Sequence, residues 1–178
     1  MREPQLGMDS NCLSYVIQTM SSTSAPSPDD ELAAQKLALI RLLFYLPGVL
    51  WVTPTVTKEC ACIKEIELAA VHKSFISCLF GELPITNANV ISGRVSSLNE
   101  HHVGLNDCAI LAEAEDVGHD VLLSYDKKFL KGLAPYSSKV TLARPADYWE
   151  RLNIRHGVRL DKAPHSINPL YYCDWWRW

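Results

Sequence analysis

The sequence predicts an α/β fold, a three-layer α/β/α sandwich with a central parallel sheet, and three observations carry that reading. Short apolar runs bounded by turn residues alternate with longer stretches of helical periodicity, the pattern of strands joined by crossover helices. Two of the runs, Val49–Thr53 and Val121–Ser124, are almost continuously apolar, as strands covered on both faces are. Four carboxylates, Asp9, Glu59, Asp107 and Asp126, each stand where the chain passes between a run of this kind and a helix or at a helix start.

The elements follow in order. Leu6–Met8 is a short first strand, weakly signalled because Glu3-Pro4-Gln5 precedes it. After Asp9, the residues Cys12-Leu13, Val16-Ile17 and Met20 recur at helical spacing until Ser21–Pro28, a Ser- and Pro-rich surface loop. Ser27 as N-cap, Pro28 in the first turn and Asp29, Asp30 and Glu31 at the positive end of the dipole start a helix that runs to about Leu46 and stops at Pro47-Gly48. Val49–Thr53 is then a strand. Thr53-Pro54 restarts a helix whose apolar spacing continues through Ile66, Ala70 and Phe75 to Gly81, with Glu59 close enough to its start to face the strand ends. Between Gly81 and Gly104 the signals give a helix over Ala88–Leu98 and no strong strand. Asn106–Val117 is a helix closed by Gly118, Val121–Ser124 a buried strand and Lys127–Leu133 a short helix. Lys139–Leu142 is the last strand, and Pro145 begins a helix over Ala146–Leu152. Glu113, Glu115 and Asp116 read as the solvent face of their helix, and Lys127-Lys128 as a surface pair able to meet phosphate.

A length of 178 residues with 48% hydrophobic content fits one domain able to bury its own core, placed at residues 1–152 with an extension over 153–178. No apolar run approaches the roughly 20 residues a bilayer span requires, and no basic-then-apolar leader opens the chain, so the expectation is a cytoplasmic protein without a membrane partner. Four of the six cysteines lie in apolar, helix-like stretches and read as reduced, buried thiols. Cys60-Ala61-Cys62 with His101 and His102 has zinc-binding chemistry, but its spacing matches none of the familiar zinc patterns. The net charge of -3 argues against a uniformly basic nucleic-acid surface. It conceals an asymmetry: residues 1–138 carry 10 Lys and Arg against 16 Asp and Glu, whereas residues 139–178 carry 7 against 4.

Taken singly, Asp107 and Asp126 read as helix-start residues and Glu59 as a solvated helix position. Taken together they read differently. Parallel strands would bring all four acids to the carboxyl edge of the sheet, where open α/β folds bind ligands. Carboxylates crowded there repel one another and tolerate ionisation only beside a cation. An oxygen-only set selects hard ions such as Mg²⁺ or Mn²⁺.

Three stretches carry a family resemblance: Met8–Leu13, Thr53–Glu59, and Leu105–Ala112 leading to Leu122–Phe129. In that order and spacing they resemble the PIN-domain nucleases, over about residues 6–152. The resemblance implies a Mg²⁺- or Mn²⁺-dependent endoribonuclease, of the kind that serves as the toxin of bacterial toxin-antitoxin pairs and also in RNA processing and decay. It places Asp9, Glu59, Asp107 and Asp126 as catalytic and metal-binding acids, with Asn11 and Ser124 supporting them. The implied partners are an RNA substrate and an antitoxin or other protein, with a homodimer left open. A competing reading is a catalytically degenerate PIN fold that binds or interacts without holding metal tightly. A phosphatase with Asp9 as nucleophile fits less well, because Asn11 stands where its second acid belongs.

The extension matches no family pattern. Tyr171-Tyr172, Trp175-Trp176 and Trp178 give it an aromatic density suited to a strap or an interface, and alternatively to base stacking. The strap or interface is favoured, because Pro164 and Pro169 leave the segment in need of something to dock against.

Overall fold

Five strands, all parallel, form the sheet among the described residues: β1 (Leu6–Met8), β2 (Leu50–Val52), β3 (Phe80–Glu82), β4 (Val121–Leu123) and β5 (Thr141–Ala143), in the spatial order β3-β2-β1-β4-β5. The structure is a computed structural model, and it describes residues 3–48 and 50–178; Val49, expected in the second strand, lies outside them. Among the described residues seven α-helices join the strands, α1 (Ser10–Met20), α2 (Ala33–Tyr45), α3 (Pro54–Ala61), α4 (Ile66–Leu79), α5 (Ala88–Asn99), α6 (Leu105–Val117) and α7 (Lys127–Leu133), and α8 (Pro145–Arg151) follows β5. Every residue of β1 and β4 is buried, as strands covered by helices on both faces must be.

The chain order decides where a site can form. From β1 the sheet grows outward through β2 to β3, and the chain then crosses back to lay β4 on the other side of β1. The strand order reverses between β1 and β4, so the loops after these two strands part and leave a crevice. Asp9 and Asp126 stand in those two loops.

Three departures from the sequence reading have physical causes. Strand β3 was not expected, and only its first residue, Phe80, is buried. Gly81 lies opposite Trp51 in the register, and a Cβ there would come within 2.4 Å of the indole. An edge strand whose middle residue must be bare carries no apolar pattern. The helix expected from Ser27 begins instead at Ala33, because Ser27 and Asp30 close successive turns: Ser27 accepts from the Asp30 N–H, and the Asp30 side chain accepts from the Leu32 N–H while pairing with Lys36. The long helix from Thr53 to Gly81 is two helices, broken over Cys62–Glu65, so that Ile63 turns inward.

From Asn153 the chain crosses back over α2 and α8. Trp176 is fully buried against Phe44, with ring centroids 4.9 Å apart, and its indole N–H donates to the Leu170 carbonyl at 3.0 Å. Trp178 packs edge-on to Trp149, donates its indole N–H to the Ile154 carbonyl and stacks on His156. Arg41 on α2 lies over the Trp178 ring and donates to the Trp176 and Arg177 carbonyls. The aromatic segment is a strap on the α2–α8 face. Trp176→Ala should cost about 3–5 kcal/mol in urea unfolding; a midpoint equal to the wild type would show that the strap contributes nothing.

His119 is buried beside Gly7 of β1, where a Cβ would come within 2.4 Å of its Nδ1, and neither ring nitrogen has a hydrogen-bond partner among the described residues. Burial pushes this imidazole down from 6.5 to about 4. Because the unfolded chain takes up the proton first, stability should fall as pH drops from about 6.5 to about 4, by up to roughly 3 kcal/mol. His119→Leu should lack that component in thermal unfolding followed across the same range, and parallel curves would refute it.

Candidate functional site

Asp9 is held before anything binds. It is the N-cap of α1, extended at φ -77° and ψ 170°, and its Oδ1 accepts the Cys12 N–H at 2.7 Å. Its own N–H donates to the Leu123 carbonyl, which fastens the end of β1 to β4. Only 4% of the residue is exposed. Burial pushes its carboxyl above the ordinary value, hydrogen bonds from Ser124 and Cys12 oppose the shift, and the Asp107 charge adds to it. Among the described residues no lysine or arginine pairs with it.

Asp126 is built the same way on the neighbouring strand. It caps α7, with Oδ1 accepting the Lys128 and Phe129 N–H groups at 2.7 and 3.2 Å. Ser124, fully buried at the end of β4, stands by both acids: its hydroxyl oxygen accepts the Asp126 N–H at 3.1 Å, and its nearness to Asp9 favours that carboxyl's ionised form. Asp107 lies in the first turn of α6 and accepts from His102 Nε2 at 2.7 Å. Glu59 lies near the end of α3, not near its start, and accepts from the Asn106 amide at 2.6 Å.

All four carboxylates line one open cleft of about 780 Å³, together with Asn11, Ser14, Lys58, Asn106 and the apolar Ile63 and Phe129. Lys58 is the one Lys or Arg among the lining residues, and Lys127 and Lys128 are exposed outside that set. Each expected site residue is therefore at the cleft or, in the case of Ser124, directly behind it. The acids do not converge on a single point: among the described residues no three His, Cys, Asp or Glu side chains form a metal-holding group. That includes Cys60, Cys62, His101 and His102, of which His101 stacks on Tyr136 and His102 bonds to Asp107.

The donor chemistry suits a hard divalent cation. A desolvated carboxylate without a cationic partner, next to further acids, is the surrounding such an ion neutralises, and Mg²⁺ keeps several waters and needs few protein ligands.

Three acids of α6 have roles that the sequence reading assigned to solvent. Glu113 is buried and accepts the Thr55 N–H and hydroxyl at 2.9 and 2.7 Å, capping α3 from outside. Glu115 is buried against Arg94 and accepts from Ser138, and Asp116 accepts from the Thr86 N–H and hydroxyl. Helix α6 is enclosed by α3 and α5, so its polar residues face partners instead of water. Lys58, Asn106 and His102 were also missed as site residues; adjacency to Glu59 and Asp107 was the signal available for the first two.

No family model and no curated protein matches the chain by sequence. Among solved structures the chain is similar to one from the crystal structure of VapBC2 from Rickettsia felis bound to a DNA fragment from their promoter, with a TM-score of 0.50 and 14% identity over 78% of this chain and 97% of that one. The likeness carries the fold, which is PIN-like: a parallel five-stranded sheet flanked by helices. No helix among the described residues is long and apolar enough to cross a membrane.

The unpaired burial of Asp9 has a measurable consequence. Its carboxyl favours the proton in the folded state, so at neutral pH the ionised form destabilises the fold and the penalty disappears as pH falls through the raised value. Asp9→Asn should therefore raise the Tm in chelator at pH 7, by about 2–4 °C for each kcal/mol relieved. A lowered Tm would mean that the cap and the Ser124 bond outweigh desolvation.

Proposed function

We propose that the protein is a metal-dependent endoribonuclease, and the observation that carries this reading is the arrival of Asp9, Glu59, Asp107 and Asp126 in one cleft at the switch point of a parallel sheet. Asp9, Asp126, Asp107 and Glu59 would hold Mg²⁺ or Mn²⁺. When bound, the ion supplies Lewis-acid polarisation of a phosphoryl oxygen and charge neutralisation. The chain's own contribution is placement. Capping bonds and Ser124 fix Asp9 and Asp126 as acceptors, Asn106 steadies Glu59, Asn11 offers an amide to the substrate, and Lys58 sets a cation beside the phosphate. Water would add to phosphorus with loss of a proton while the bond to the leaving ribose oxygen breaks and that oxygen takes up a proton from solvent, which cuts the RNA internally.

The same reading gives the protein a partner. The similar structure, VapBC2, was solved on promoter DNA, and with the PIN-like fold this supports a cytoplasmic toxin accompanied by an antitoxin. Leu68, Val71 and Leu79, exposed at helical spacing on α4, give a partner protein an apolar surface.

Two measurements test the reading. Mn²⁺ should raise the Tm in a concentration-dependent manner, as a native-state ligand must, and unstructured RNA should be cut in Mn²⁺ but not in chelator. Asp9→Asn and Asp126→Asn should each reduce cleavage to the level seen in chelator while remaining folded. A flat melting titration with no cleavage would favour instead a degenerate PIN fold that binds or interacts without cutting. The lack of a closed cluster of acids is the observation on that side.

A further inference from the structure

His102 sits in the turn between α5 and α6, outside every motif that marks the acids, and its surroundings are built to receive it. Its N–H donates to the Leu98 carbonyl and its carbonyl accepts from the Cys108 thiol, so the turn is tied to both helices. The imidazole Nε2 lies 2.7 Å from Asp107 Oδ2. Asp107 Oδ1 has no hydrogen-bond partner among the described residues. Two glycines face the ring. A Cβ on Gly104 would lie 2.8 Å from His102 Nε2 and 2.5 Å from Asp107 Oδ2, and one on Gly132 would lie 2.6 Å from His102 Nδ1. Gly132 is in the last turn of helix α7, where alanine is the better helix former. The space it leaves is filled by the His102 ring.

We infer that His102 is a positioning residue: it engages one oxygen of Asp107, turns the carboxylate toward the cleft and keeps the other oxygen for the cation. The inference rests on the cation reading of the cleft and adds to it a residue that touches neither metal nor RNA. The physical argument is that Asp107, unlike Asp9 and Asp126, caps no helix with its side chain. Backbone N–H groups fix the rotamers of those two, whereas Asp107 is 37% exposed in its side chain and has the imidazole as its hydrogen-bond partner. Without the ring the carboxylate is free to rotate into solvent, and the cation must bear the entropy of ordering it. Outer partners of metal ligands elsewhere typically matter by about 10–100-fold in affinity or activity.

Mn²⁺ binding to the metal-free full chain, followed by titration calorimetry and by the electron paramagnetic resonance of free and bound ion, tests this. His102→Ala should weaken binding about 10–100-fold and alter the bound-ion spectrum, and His102→Gln should recover most of the loss because its amide also donates. Gly132→Ala should weaken binding in the same direction although alanine is the better helix former, which a merely structural role for the ring does not produce. It also serves if His102→Ala does not fold. Binding by His102→Ala within about twofold of wild type, with Asp107→Ala clearly weaker, would overturn the positioning role and leave the cation reading intact. Absence of saturable Mn²⁺ binding in the wild type would overturn both.

Discussion

The Asp9 N–H donates to the Leu123 carbonyl at 3.0 Å, and this backbone bond closes the seam between the two halves of the sheet. On one side of it the chain runs β1, β2, β3; on the other, β4, β5. Each strand at the seam is followed by an aspartate that caps the next helix, Asp9 directly after β1 and Asp126 three residues after β4, and the two caps deliver their carboxylates to the crevice between the strands. Ser124 stands by both, accepting from the Asp126 N–H and favouring the ionised Asp9 carboxyl. Moving either strand by one residue would reverse its side chains and dismantle the caps, the serine's contacts and the cleft together.

The rest of the fold holds the far wall in place. Asp107 and Glu59 belong to α6 and α3, which Glu113 fastens to each other by capping α3 through Thr55. Thr53, the formal N-cap of α3, makes no side-chain capping bond, and its buried hydroxyl has no partner among the described residues. The helix therefore takes its cap from a neighbour. Glu115, with Arg94 and Ser138, and Asp116, with Thr86, bind α6 to α5 and to the segments around them. A buried carboxylate is expensive unless its lone pairs are filled, and in Glu113 and Glu115 they are filled by N–H and O–H groups. Asp9 alone is buried at the cleft with its charge left uncompensated.

What could be read in the sequence follows from this division. Caps and strand ends are local, so Leu6–Met8 followed by Asp9, and Val121–Leu123 followed by Ser124 and Asp126, were legible in chain order, and the acids they position came with them. Contacts between distant segments were not. Gly81 is a strand residue because Trp51 covers it, a fact about two positions thirty residues apart. Glu113 and Glu115 have the identities of solvent-facing residues and become buried only because α3 and α5 enclose their helix. His102 is informative only once Gly132, on a different helix, is seen beneath its ring. The tail was legible in kind, since a run of tryptophans demands cover, but not in place, since Phe44, Tyr45 and Arg41 supply that cover from α2.

The electrostatics of the molecule bear on how an acidic cleft could receive a polyanion. Without a cation, the carboxylates of Asp9, Glu59, Asp107 and Asp126 repel RNA, and Lys58 alone is too little to offset them. A cation bound there changes the sign of the local field, so substrate attraction would depend on metal as strictly as the chemistry does. The strap adds a second contribution: of its cations Arg155, Arg159, Lys162 and Arg177, Lys162 pairs with Asp161 and Arg177 with Asp174, so a modest net positive charge lies on the α2–α8 face and not at the cleft. An RNA drawn first by that face and then by the loaded cleft would pass between two regions of unlike character, one permanent and one conditional on the ion. On this reasoning the uncompensated burial of Asp9 is more than a cost of the fold. On the proposed reading it would keep the empty cleft unreceptive and would make the cation the condition for binding as well as for cutting.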